Sequence, residues 1–280
     1  MPIASKVAFV ADSTLGLNPE EALEQGIHVV PQQVIWGNRA LRDQLEITDE
    51  EVLDLLRQGE RLSTSQVAPE DLRTAYETLL KTHERVLSVH LSGLLSGTVA
   101  NAMAIAQEFG GRVKVLDSWS LNGGLLLVLE EARRLLRRGV AWDQLEEAVA
   151  PYRERVRGYI LPQTLTYLHR SGRISGLQRF MGGLLSILPV LEVKGGRVLA
   201  GLRVRGFQEG LRRLAQLFRR DSPAGGPVYL AHAGNLEGAR TLGEALRAEG
   251  VEVLGPLRAG AAVSVHAGPG TVALFAGPRG

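Results

Sequence analysis

The chain has 280 residues, 32 basic against 30 acidic side chains and a formal net charge of +2, with apolar residues making up 45% and spread along its length. That balance favours a folded, soluble protein large enough for two domains or one large α/β unit, and with only four lysines and few aromatics it argues against a nucleic-acid partner. Cysteine is absent, which excludes disulfides and thiolate metal sites and suits a reducing, cytoplasmic setting.

In chain order, the opening MPIASKVAFVADST holds an apolar run too short for a signal peptide and closes on Asp12, so it reads as a first buried strand ending in a turn. GIHVVPQQVIWG reads as a strand pair, with Pro31 marking an edge position or a bulge. Thr48 followed by Glu51 has the capping-box spacing that opens a helix. STSQVAP precedes another helical run, with Pro69 in its first turn. RVLSVHL is a strand, GTVANAMAIAQEFGG a small-residue helix closed by paired glycines, RVKVLDS a strand and LLLVLEEARRLLRRG a helix. This alternation predicts a parallel sheet covered by helices over residues 1–156.

The rhythm then changes. Two alternating runs around Gly195-Gly196 predict a hairpin, followed by helix, strand and helix, with AAVSVHAGPGTVALFAG as a final strand region. Residues 157–280 are therefore expected to form an α+β domain with a mixed or antiparallel sheet. The fold class is α/β overall.

Ligands of open parallel sheets collect at the carboxyl ends of strands, where helices begin and present backbone N–H groups. Three such segments carry hydroxyls: ADST, LSGLLSGT and DSWS. Helix capping explains any one of them. Ser96-Gly97-Thr98 stands apart, since glycine admits a ligand close to the backbone between two hydroxyls. The three hydroxyls of Ser63 to Ser65 likewise exceed what one cap needs. Among six histidines, His28, His90 and His232 lie in apolar strands and His83 at a helix end. His266 is expected at a strand end beside a Gly-Pro-Gly turn, the kind of position that carries function. Arg170 and Arg173 flank a glycine, one suited to a helix C-terminus and the other to a carboxylate or phosphate. The Gly182-Gly183 pair interrupts an apolar helical period, leaving a gap against which a ligand or helix could pack. No zinc spacing, P-loop or dinucleotide fingerprint occurs, so neither metal nor cofactor is expected. Ser96, His266 and Asp117 compose a hydrolase triad by residue type only.

Taken together and in this order, ADST, STSQVAP, LSGLLSGT, DSWSLNGG, LTYLHRSGRIS and VHAGPG resemble the DegV family of fatty-acid-binding proteins, in particular the B subunit of bacterial fatty acid kinase. The resemblance spans Asp12 to Gly270. It implies two α/β domains enclosing one long-chain fatty acid such as palmitate, stearate or oleate. The carboxylate would be held by Thr64, Ser65, Ser96 with Gly97, and His266, with Arg173 near the head group or a partner-facing surface. It also implies a carrier without catalysis of its own, which presents the acid to a separate ATP-dependent kinase subunit for phospholipid synthesis and is open to transient membrane contact. A lipid sensor or store lacking that partner, and a serine hydrolase of lipid esters, are the alternatives. Val67, Asn122 and Leu188 depart from the family's common proline, serine and lysine.

Overall fold

The structure is a computed structural model and describes residues 6–180, 187–222 and 225–278. The first half runs β1 (Val7–Asp12), α1 (Pro19–Glu24), β2 (Ile27–Val30), β3 (Gln33–Trp36), β4 (Arg39–Arg42), α2 (Asp49–Arg57), β5 (Leu62–Ser65), α3 (Pro69–Leu79), β6 (Arg85–His90), α4 (Thr98–Ala106), β7 (Val113–Asp117), α5 (Gly123–Arg137) and α6 (Leu145–Arg153). The second runs β8 (Arg157–Leu161), α7 (Thr166–Ser171), β9 (Ile174–Ser175), β10 (Ile187–Lys194), β11 (Arg197–Arg205), α8 (Phe207–Asp221), β12 (Val228–His232), α9 (Leu236–Arg247), β13 (Val253–Arg258), α10 (Ala261–Ala267) and β14 (Val272–Ala276).

Strands β2-β1-β6-β7 form a wholly parallel sheet. Every residue of β1 is buried, as expected of a parallel strand covered on both faces. Ala8 and Val10 meet Leu72 and Tyr76 of α3 and Ala102 of α4. Phe9 and Ala11 join the cluster built around Leu125 to Leu129 of α5. The other face of α5 meets the second sheet, of order β13-β12-β14-β8-β10-β11-β9, which mixes parallel and antiparallel pairs. Gly123 and Gly124 permit this approach, since a Cβ on Gly123 would lie 2.4 Å from Tyr229 Cβ and one on Gly124 3.2 Å from Phe275 Cδ1. Helices α8 and α9 cover the far face through Leu211, Phe218 and Leu242. The α/β class, the parallel N-terminal sheet and the mixed C-terminal sheet are all as the sequence predicts.

Several local expectations change. Ile27–Val30 and Gln33–Trp36 are strands but not partners: the first joins β1, and the second anchors a small antiparallel sheet, β4-β3-β5. Ser63 to Ser65 belong to β5 rather than to a cap, and Ala68 occupies the N-cap of α3 without a side-chain bond. His266 lies on a helix, not a strand: Gly260 and Gly268 bracket α10, whose Ala261 and Val265 pack on Val34, Val52 and Leu56. The Gly182-Gly183 gap falls outside the described residues.

Candidate functional site

Four segments converge on one cavity of about 300 Å³, and Thr64, Ser65, Ser96, Gly97, His266 and Arg173 all line it. Strand β5 supplies Thr64 and Ser65, the β6–α4 loop Ser96 and Gly97, α10 His266, and the turn after α7 Arg173. Most of the remaining wall is apolar, including Leu121, Ile160, Leu168, Leu191, Val198 and Val263. A void of about 30 Å³ shares Leu121, Ile160 and Val263 with it.

His266 Nε2 lies 2.7 Å from Thr64 Oγ1, which joins α10 to β5 across 202 residues of sequence. Burial, reinforced by the Arg173 guanidinium, lowers the imidazole pKa to about 4, so the ring is neutral at pH 7. It can therefore exchange a hydrogen bond with a head group without adding charge. Arg173 Nη1 donates to the carbonyl of Ser171, just before Gly172 closes α7 in a left-handed conformation. Helix-capping and cavity-lining thus fall on the same arginine, whereas Arg170 sits exposed in the last turn of α7.

The N-cap of α4 is Gly97, which has no side chain to cap with; Ser96 Oγ accepts the N–H of Thr98, the first residue of the helix, at 3.3 Å and lines the cavity as well. A Cβ on Gly97 would meet Gln66 Oε1 at 1.9 Å; only glycine lets the Gln66 side chain lie against this backbone. Of the other two hydroxyl segments, ADST follows the capping reading, since Asp12 caps the turn at Ser13 to Leu15. DSWS does not: Ser118 and Ser120 are buried in the loop after β7, and Asn122 caps α5. Thr14, which no sequence signal separated from its neighbours, nevertheless lines the cavity.

The hydrolase triad is not assembled. Asp117 accepts from the backbone N–H groups of Gly93 and Trp119, and Thr64 is the partner of His266 Nε2.

Two buried residues that the sequence did not single out hold the site together. Asp43, 1% exposed, accepts from Ser13 Oγ and from the N–H groups of Ala261 and Ala262, which fixes the start of α10. Burial raises its pKa to about 6 against those bonds. Gln32 donates its backbone N–H to Ser13 Oγ and its amide Nε2–H to Thr98 Oγ1. A polar residue just past the end of a parallel strand was the available signal for Gln32; for Asp43 there was none, because its partners are 30 and 218 residues away.

Fold and site together define an α/β protein built around an apolar cavity with a hydroxyl-rich, partly cationic lining. The chain belongs to the DegV family, whose model matches residues 6–279. A DegV domain-containing protein of Deinococcus radiodurans is 37% identical over 276 residues, covering 97% of this chain and 98% of that one. A fatty-acid-binding DegV family protein from Thermus thermophilus superposes with a TM-score of 0.89 at 34% identity, covering 98% and 99% of the two chains. DegV from Bacillus subtilis, a fatty acid binding protein, gives 0.85 at 26% identity over 98% and 99%. No helix among the described residues is long and apolar enough to cross a membrane.

Proposed function

We propose that this protein binds one long-chain fatty acid, with its carboxylate among Thr64, Ser65, Ser96, Gly97, His266 and Arg173 and its chain along the apolar wall. The observation that carries the reading is the convergence of these polar groups, from four separated segments, on a single apolar cavity. The fatty-acid-binding relatives from T. thermophilus and B. subtilis support it. Burying about 16 carbons is worth on the order of 10 kcal/mol before association costs, at ~0.8 kcal/mol per CH₂, enough to retain the lipid through purification.

The protein is a carrier without chemistry of its own. It presents the carboxylate to a separate ATP-dependent kinase subunit for acyl phosphate formation, a role that rests on the resemblance of its ordered motifs to those of the kinase B subunit. A cysteine-free chain is consistent with this work being cytoplasmic. A store or sensor is the second reading, favoured by Leu188, which packs half-buried against an apolar cluster where the family commonly has lysine.

Solvent extraction of the purified protein with mass spectrometry, paired with an intact native mass, tests the first step. A near-stoichiometric fatty acid is expected, and an empty protein that takes up neither palmitate nor oleate rejects the reading. Acyl phosphate formed on adding kinase subunit and ATP separates the carrier from the store.

A further inference from the structure

Ser96 has one hydroxyl proton, and the groups packed around it decide where that proton goes. Thr98 Oγ1 lies 3.0 Å from Ser96 Oγ. The same Thr98 oxygen receives Gln32 Nε2–H at 2.9 Å and Val67 N–H at 3.3 Å. A hydroxyl has two acceptor positions and one proton. With both acceptor positions engaged, Thr98 can meet Ser96 only by donating to it. Ser96 Oγ also accepts the Thr98 backbone N–H at 3.3 Å. Its own acceptor positions are therefore filled from within the protein, and its proton is left for a group in the cavity that it lines.

The start of this relay is rigidly held. Gln32 is 4% exposed, Thr98 fully buried, and both backbone groups of Gln32 are fixed: its N–H by Ser13 Oγ and its carbonyl by Asp43 N–H at 2.9 Å. Ser13 in turn donates to the Asp43 carboxylate at 2.8 Å.

We infer that Gln32 and Thr98 are positioning residues that make Ser96 an obligate hydrogen-bond donor, so that the site selects an ionised carboxylate over an uncharged head group on the same chain. The inference rests on the fatty-acid reading and specifies its head-group chemistry. A carboxylate only accepts, and a hydrogen bond to it is about twice as strong as one between neutral groups. An alcohol oxygen can accept the Ser96 proton only in a weaker neutral bond, and the proton it brings finds no acceptor on Ser96 in this orientation.

Affinities of palmitate and 1-hexadecanol for lipid-stripped wild-type protein, Thr98→Val, Gln32→Met and Thr98→Ser test this. Thr98→Val and Gln32→Met are expected to weaken palmitate about tenfold while hexadecanol stays within about twofold. Thr98→Ser keeps the hydroxyl and should retain the wild-type ratio. Equal losses for both ligands, or an unchanged acid-to-alcohol ratio in both disrupting variants, would overturn the inference. Using two sites guards against a folding defect in either, which melting temperatures reveal. Wild-type protein that takes up neither ligand would instead overturn the fatty-acid reading itself, and this inference with it.

Discussion

Two polar clusters sit near the ends of the parallel strands, and they differ in one respect. In the first, Tyr76 donates to Ser88 Oγ at 2.9 Å, Ser88 Oγ lies 2.8 Å from His90 Nε2, and His90 Nδ1 lies 3.1 Å from Asp12 Oδ2. This is the Ser–His–Asp constellation of a hydrolase, yet all four side chains are 0% exposed. In the second, Ser96, Thr64 and His266 line a cavity, and by the inference drawn above Ser96 retains a proton for its occupant. The first cluster exposes none of its side chains to the cavity, touching its lining only where Asp12 accepts from Thr14 and from the Leu91 N–H, and it serves the fold. Geometry alone therefore marks no site here; access and unused donor capacity do.

The largest separation of the two should come from Asp12→Ala. Asp12 accepts from Thr14, from the Leu91 N–H and from His90, and these bonds outweigh the burial that by itself would raise its pKa, leaving it lowered. Removing one partner of a buried pair costs about 3–5 kcal/mol. Urea denaturation should show that loss, while the fraction still folded, in which Thr14 and Leu91 of the cavity lining lose their Asp12 partner, should lose less than about tenfold in palmitate affinity. A variant of wild-type stability with impaired binding would mean that the sealed cluster belongs to the site.

A comparable effect should appear as opposed pH slopes within the open site. Asp43, raised from 3.8 to about 6, holds more protons folded than unfolded between pH 4 and 6, so its contribution to stability falls as pH rises through that window. His266, lowered from 6.5 to about 4, does the reverse, and its contribution is lost as pH falls from 6.5 to 4. Each is worth on the order of 3 kcal/mol at most. Relative to wild type, Asp43→Asn should gain stability from pH 4 to 6, and His266→Gln should gain it from pH 6.5 down to 4. Denaturation midpoints against pH, taken as differences from wild type, check both signs; parallel curves for either variant would refute the corresponding assignment.

A smaller effect, but the one that defines function, is expected for Ser96→Ala. Losing a hydrogen bond to a charged group should weaken palmitate roughly 10- to 100-fold, with the melting temperature little changed. Unchanged affinity by displacement titration would place the carboxylate elsewhere in the cavity.

Much of this was readable from local sequence. The capping box of α2, the hairpin at Gly195-Gly196 and the burial of β1 each depend on residues within a few positions of one another. So did the hydroxyl segments, because strand-to-helix junctions announce themselves by composition. What escaped depends on distant partners. Ser63 to Ser65 read as hydroxyls ahead of a helix until β3 is there to pair with them. AAVSVH has β-branched residues and reads as strand, but its Ala261 and Val265 meet α2, and Asp43 satisfies its first two N–H groups. Tertiary contacts override weak propensity in both cases. His266 was singled out as a strand-end residue but reaches the cavity from a helix, Gln32 was passed over despite its place just past the end of β2, and Asp43 was missed because nothing nearby distinguishes it.

The smallest expected effect probes how far the open cluster depends on its support. Thr48 accepts the Glu51 N–H while Glu51 accepts the Thr48 N–H, and together they start α2. Thr48→Ala should cost about 1 kcal/mol. Helix α2 packs through Val52 and Leu56 on Ala261 and Val265 of α10, one residue from His266. If α10 is held chiefly by Asp43 and by the Thr64–His266 bond, palmitate affinity should stay within about twofold of wild type, since neither bond involves the α2 cap. A tenfold loss at this modest cost in stability would show instead that packing on α2 sets the position of His266, and the open cluster would then extend to the second layer of helices.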